Sequence, residues 1–194
     1  MKKGFLAGAA ACALTSAVAG ATTLLAMDVP SLAKGADAIV RGSVASSNSH
    51  WTGDHLRIVT EVEIEVAEVL KGGVPKRLTV VQPGGVVGDI GQKVSGLASF
   101  TVGEEVVLFL ERRAGDTFLV SGMAQGKFRV ERSSDGKAAY AVPDSTGEAL
   151  LLDPKTHQPI SSPTLAEFMA QIRDALQVPA VEPTGRTPPL QKVP

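Results

Sequence analysis

The clearest pattern in the chain is a strict alternation between Leu56 and Leu70. Ile58, Thr60, Val62, Ile64 and Val66 fall on one side, and Glu61, Glu63 and Glu65 on the other. Only an extended strand separates such residues onto opposite faces, so the stretch predicts a long β-strand with one wet face. The phase slips at Val69-Leu70, which predicts a bulge near Ala67 to Val69. Val106 to Leu110 is apolar throughout, the signature of a strand covered on both faces. Shorter β-patterns occupy Ala36–Ala45, Arg77–Gln82, Thr117–Ser121, Gly126–Arg132 and Lys137–Val142, each bounded by turn residues. The period changes only once to that of a helix of any length. Leu165, Phe168, Met169, Ile172 and Leu176 share one helical face, behind Thr164 and Glu167 spaced as a capping box. A shorter helical turn is predicted over Asp28–Gly35, with Pro30 early and Gly35 closing it.

Many short strands with glycine turns predict a mainly β fold, a sandwich or barrel. The predicted organisation is a signal peptide over 1–21, a lead segment with a short helix over 22–36, and a β-barrel over 37–143. A connecting loop (144–160), an amphipathic helix (161–178) packed on the barrel and a Pro-rich tail (179–194) complete it. The helix is expected to cover the outer face of Val106–Leu110. The tail lacks any core pattern and is expected to be disordered.

Targeting changes the picture most. Lys2 and Lys3 precede an uncharged run from Gly4 to Met27, and Ala19-Gly20-Ala21 supplies small residues for a signal peptidase. The pattern predicts export, with cleavage after Ala21 and no stable membrane span afterwards. The run is long enough to be an anchor, but it is rich in Ala and Gly and no basic stop-transfer cluster follows. Cys12 follows Ala9-Ala10-Ala11, a poor lipidation signal. It is the single cysteine, so a processed chain is held by its core without disulfides. The whole chain carries 19 basic and 20 acidic residues, and losing Lys2 and Lys3 leaves 17 basic ones. No basic block exists, so nucleic acid is not an expected partner.

The order "GADAIVRGSV", a long alternating strand ending in "VAEVLKG", "VGEEVVLFLE" and then "GMAQGKFRV" carries a resemblance. Over roughly Ala36 to Val130 the chain resembles the netrin-like modules, OB-type barrels that include the tissue inhibitors of metalloproteinases. It is similar also to a group of uncharacterised secreted bacterial proteins with that barrel pattern. The resemblance implies a single closed or partly open OB-like barrel. Those inhibitors act through an N-terminal cysteine, which is missing near Thr22, so their mechanism is not implied.

Candidate chemistry is sparse. "VQPGGVVGDIGQKVSG" places Gly84, Gly85, Gly88 and Gly91 in one segment. It lacks both the G-x-G-x-x-G spacing and the Gly-Lys-Ser/Thr of a phosphate loop, and a strand pattern follows where a helix would be needed. It reads as a long loop or irregular edge. His50, Trp51, Asp54 and His55 form the one cluster with metal-ligand types, in a stretch that reads as a polar turn, and no zinc spacing is matched. Metal at His50, Asp54 and His55 is therefore a weak alternative, and no cofactor is expected. Serines 43, 46, 47, 95 and 121 lie outside any G-x-S-x-G. The expectation is a non-enzymatic exported module that contacts a protein or a cell-envelope glycan. Its contacts would come from Trp51 and the loops at 46–55 and 83–101. An inhibitor-like regulatory domain and an enzyme or metal site at His50–His55 are the alternatives.

Overall fold

A computed structural model describes residues 27–144 and 162–177. The expected signal peptide, most of the connecting loop and the Pro-rich tail lie outside the described residues.

The long alternating stretch forms β2 (Ile58–Lys71), with Ile58, Thr60, Val62 and Ile64 buried and Glu61 and Glu65 exposed. Its antiparallel partner is β1 (Ala38–Trp51). The expected bulge is present. The register steps over Leu70 and over Ala67 in β2, and over Ala45 in β1. At Gly42, inside this irregular stretch, a Cβ would lie 2.3 Å from the Glu65 carbonyl oxygen, so only glycine lets β1 approach β2 so closely.

One expectation is corrected here. Ser46–Trp51 is not a loop but the far half of β1, paired with Glu63 to Ile58. Its polar composition suggests a turn, but a 14-residue alternating partner supplies a complete ladder for it, and neighbouring pairs outweigh local propensity. The turn itself is confined to 52–57.

β3 (Arg77–Pro83) pairs with β2, and β6 (Glu105–Arg112) pairs with β1, with β7 (Thr117–Val120) and with β8 (Lys127–Arg132). The chain is mainly β. Its seven-stranded sheet runs β1-β2-β3-β7-β6-β8-β9, where β9 is Ala139–Pro143, and the extra β1–β6 pairing links the fifth strand of that order to the first. β3 and β7 meet in parallel at two residue pairs, Thr79↔Thr117 and Val80↔Phe118.

β6 explains its own apolar run. Val106, Leu108 and Leu110 enter one core with Val40, Val62, Ile64, Val80 and Phe118. Val107 and Phe109 point the other way, into a second core with α1 (Val29–Gly35) and α2 (Leu165–Gln177). Phe109, Phe128 and Phe168 meet there, with ring centroids of Phe128 and Phe168 4.3 Å apart. The C-terminal helix thus packs on the sheet as its apolar face predicts. Each large side chain it buries contributes about 1.5–3 kcal/mol before entropy. Its first turn carries the expected capping box, in which Glu167 Oε2 accepts from Thr164 N and Glu167 N donates to Thr164 Oγ1.

Candidate functional site

The glycine-rich segment is built more firmly than its sequence suggests. It is not a long irregular loop. Gly85–Val87 (β4) and Ile90–Gln92 (β5) form a small antiparallel hairpin with Gly88 near its tip. The φ of Gly88 is +60°, a value that glycine supplies without strain.

Hydrogen bonds fasten the base of the hairpin to the main sheet. Gly84 N donates to Ile58 O at 2.8 Å, and Ile58 N donates to Gln92 Oε1 at 2.8 Å. Thr60 Oγ1 donates to Gly84 O at 2.7 Å and lies 2.9 Å from Ser49 Oγ. Gly85 sits directly over that hydroxyl pair. Its φ is +135°, and a Cβ would lie 2.3 Å from Ser49 Oγ and 2.4 Å from Thr60 Oγ1. The glycine is therefore required for close approach, not for looseness.

Between the hairpin and the following stretch, 93–99, opens a cleft of about 480 Å³. Gly84, Gly85 and Gly91 line it, with Thr60, Gln92 and Leu97. Around it, Val86 and Ile90 are 67% and 54% exposed and Val94 is 39% exposed. Gly88 has open space around it and does not line the cleft. Neither does Trp51, which ends β1 opposite Ile58 and is half-buried.

The far wall of the cleft, Ala98-Ser99, is held from behind by a buried ionic cluster that sequence reasoning missed. Lys127 has no exposed side-chain surface and lies 2.7 Å from Glu104 Oε1 and 3.7 Å from Asp144 Oδ2. Its ammonium also donates to Ser99 O and sits 4.6 Å from the Phe100 ring centroid. Asp144 in turn accepts from Ser99 N at 2.8 Å. In the sequence Lys127 stands in "GKFRVER", among the charged residues Arg129, Glu131 and Arg132, so nothing local marks it as internal.

The structure does not assemble the His50, Asp54 and His55 candidates into a metal centre. His50 leaves β1 beside Glu61, with Nε2 3.9 Å from Oε1. Asp54 is occupied within its turn. Its carboxylate accepts from the Thr52 hydroxyl and from Leu56 N, and these bonds hold its pKa below the ordinary carboxylate value. His55 takes a left-handed φ of 57° in the same turn. Among the described residues no group of three or more His, Cys, Asp or Glu is placed to hold a metal ion. Among the described residues, no helix is long and apolar enough to cross a membrane.

Comparison with protein-family models, with curated proteins and with solved structures gives no match for this chain.

Proposed function

We propose that the chain is an exported, non-catalytic binding module on an OB-type barrel, and that it grips a segment of a partner protein at the glycine-built cleft. The observation that carries this reading is the hairpin 85–92, which is bonded to the sheet at its base and displays exposed Val86 and Ile90 at its tip. A monomer has no folding reason to fasten two large apolar side chains in water, and such patches mark interaction surfaces. The barrel reading rests on the strand succession β1-β2-β3-β7-β6 with its β1–β6 link and a parallel β3–β7 contact. That succession suits a five-stranded, partly open Greek-key ring. A protein suits the cleft better than a glycan, because its lining carries no aromatic ring for a sugar face. Export rests on the N-terminal pattern of Lys2, Lys3 and Ala19-Gly20-Ala21.

The test is affinity capture from envelope fractions with the exported chain and with a Val86→Asp/Ile90→Asp variant. A protein retained by the first and lost by the second supports the reading. Equal retention, or retention of isolated glycan alone, refutes it. N-terminal sequencing of the exported product is expected to begin at Thr22.

A further inference from the structure

We infer that Lys127 and Asp144 condense to an intramolecular amide, a covalent clamp across the hairpin of β8 and β9. The two residues face each other one step beyond the last ladder pair, Phe128↔Pro143, and Asp144 N donates to Lys127 O at 3.0 Å. Directly opposed residues of an antiparallel pair project to the same face, so both side chains enter the same part of the interior. Lys127 is fully buried and Asp144 is 3% exposed. Nζ lies 3.7 Å from Oδ2. An amine and a carboxyl held together out of water are the two halves of an amide, and reaction needs their atoms to close to about 3–3.5 Å. A buried ion pair needs one carboxylate for one cation, yet Glu104 stands here as a second. Its presence is explained if it handles protons.

Each group that the condensation requires is in place. Glu104 Oε1, 2.7 Å from Nζ, takes a proton from the ammonium and frees the nitrogen lone pair. Nζ then adds to Cγ of Asp144 and the C–N bond forms. Negative charge gathers on the carboxyl oxygens, where Ser99 N donates to Oδ2 at 2.8 Å and Ser99 Oγ donates to Oδ1 at 3.2 Å. Collapse breaks one C–O bond. The nitrogen loses two protons in all, and Glu104 carries them in turn to the departing oxygen, which leaves as water. Glu104 ends as the carboxylate it was at the start, and no oxidant or co-reactant is consumed. Ser99 O accepts from Nζ and the Phe100 ring centroid lies 4.6 Å from it, which orients the nitrogen and screens it from solvent. This geometry exists only once β8, β9 and the turn before β6 have come together, so the bond follows folding. The freshly folded chain holds the ion pair, and the aged chain holds the amide. With Cys12 as the single cysteine, no disulfide within the chain supplies such a tie, and an amide is indifferent to redox conditions.

Mass spectrometry of the purified chain tests this. After overnight incubation of the folded protein, the intact mass is expected to be lower than that of the freshly folded chain by one water. A tryptic digest is expected to contain a branched peptide joining Lys127 to Asp144, with no cleavage after Lys127. Lys127→Met is expected to keep its full mass. Glu104→Gln still accepts a hydrogen bond from Nζ but takes no proton, and is expected to form the bond roughly a hundred-fold more slowly with the circular dichroism of the parent. An aged parent that has its full sequence mass and is cleaved normally after Lys127 overturns the inference. So does an equal loss of water from Lys127→Met, a readout that does not need the variant to fold, because the dehydration would then not involve the amine. Bond formation in Glu104→Gln at the parent rate overturns the proton transfer assigned to Glu104. Should Glu104→Gln not fold, the branched peptide in the parent decides alone.

Discussion

Lys127 Nζ lies 2.7 Å from Glu104 Oε1 inside the protein, and the pair joins the start of β8 to the turn that precedes β6. Asp144 adds a second carboxylate, so one cation faces two anions with Ser99 hydrogen-bonded between them. Such a cluster is costly to desolvate, and replacing it by apolar groups need not weaken the fold. Its effect here is geometric, because it holds Ser99 and thereby the back of the glycine cleft.

Removing the cation alone is accordingly severe. Lys127→Met leaves the buried Asp144 and partly buried Glu104 carboxylates side by side without their cation, held by the amides of Ser99 and Thr101, and is expected to cost about 3–5 kcal/mol in urea unfolding. Adding Glu104→Gln and Asp144→Asn to Lys127→Met is expected to recover at least half of that loss. If the single variant is as stable as the parent, the cluster does not have the role assigned to it.

Gly85 gives the second prediction. Gly85→Ala drives a methyl group into the Ser49–Thr60 hydroxyl pair and places a side chain at a φ of +135°. A cost of about 1–3 kcal/mol is expected from the strain alone. Gly88→Ala has open space and only the milder penalty of a left-handed φ, about 1 kcal/mol. Thermal unfolding that ranks the two variants equally would contradict the close-approach argument. The Gly85→Ala variant is also expected to bind the partner more weakly, since the hairpin sets one wall of the cleft.

These two sites show what was legible in the sequence. The strand alternation of Ile58–Val66 and the apolar run Val106–Leu110 forecast their elements, because each reports burial on one or two faces through its own period. The capping box at Thr164 and Glu167 was equally local. What escaped was non-local. Ser46–Trp51 becomes strand only because β2 extends far enough to pair with it. Lys127 becomes internal only because Glu104 and Asp144, 23 and 17 positions away, converge on it. The glycines pointed to the cleft, but the reason for Gly85 lies in Ser49 and Thr60 on two other strands.

The aromatic contact between sheet and helix is the third prediction. Phe168 is almost fully buried, and its ring meets those of Phe128 and Phe109. Phe168→Ala is expected to destabilise the protein by about 3–5 kcal/mol through lost burial and the cavity left behind. Its Tm should fall, and amides of α2 such as Phe168 and Ile172 should lose more hydrogen-exchange protection than those of the core around Val62 and Leu108. Protection lost equally in both cores would mean that the helix layer and the sheet unfold as one unit.

The fourth prediction concerns pH. The Glu167 carboxylate accepts from Thr164 Oγ1 at 2.7 Å and from Thr164 N at 3.0 Å, and these bonds lower its pKa from the ordinary glutamate value. The folded state therefore releases this proton more readily than the unfolded chain does. The contribution to stability is complete above the unfolded pKa and disappears as pH falls through the folded one. Carboxyl-carbon NMR is expected to give Glu167 a lower titration midpoint in the parent than in Thr164→Ala. The variant should also lose the part of the acid dependence of unfolding that belongs to this group. Identical midpoints in the two proteins would show that the capping box does not bias the proton on Glu167. The acid sensitivity of α2 would then have to come from other carboxylates.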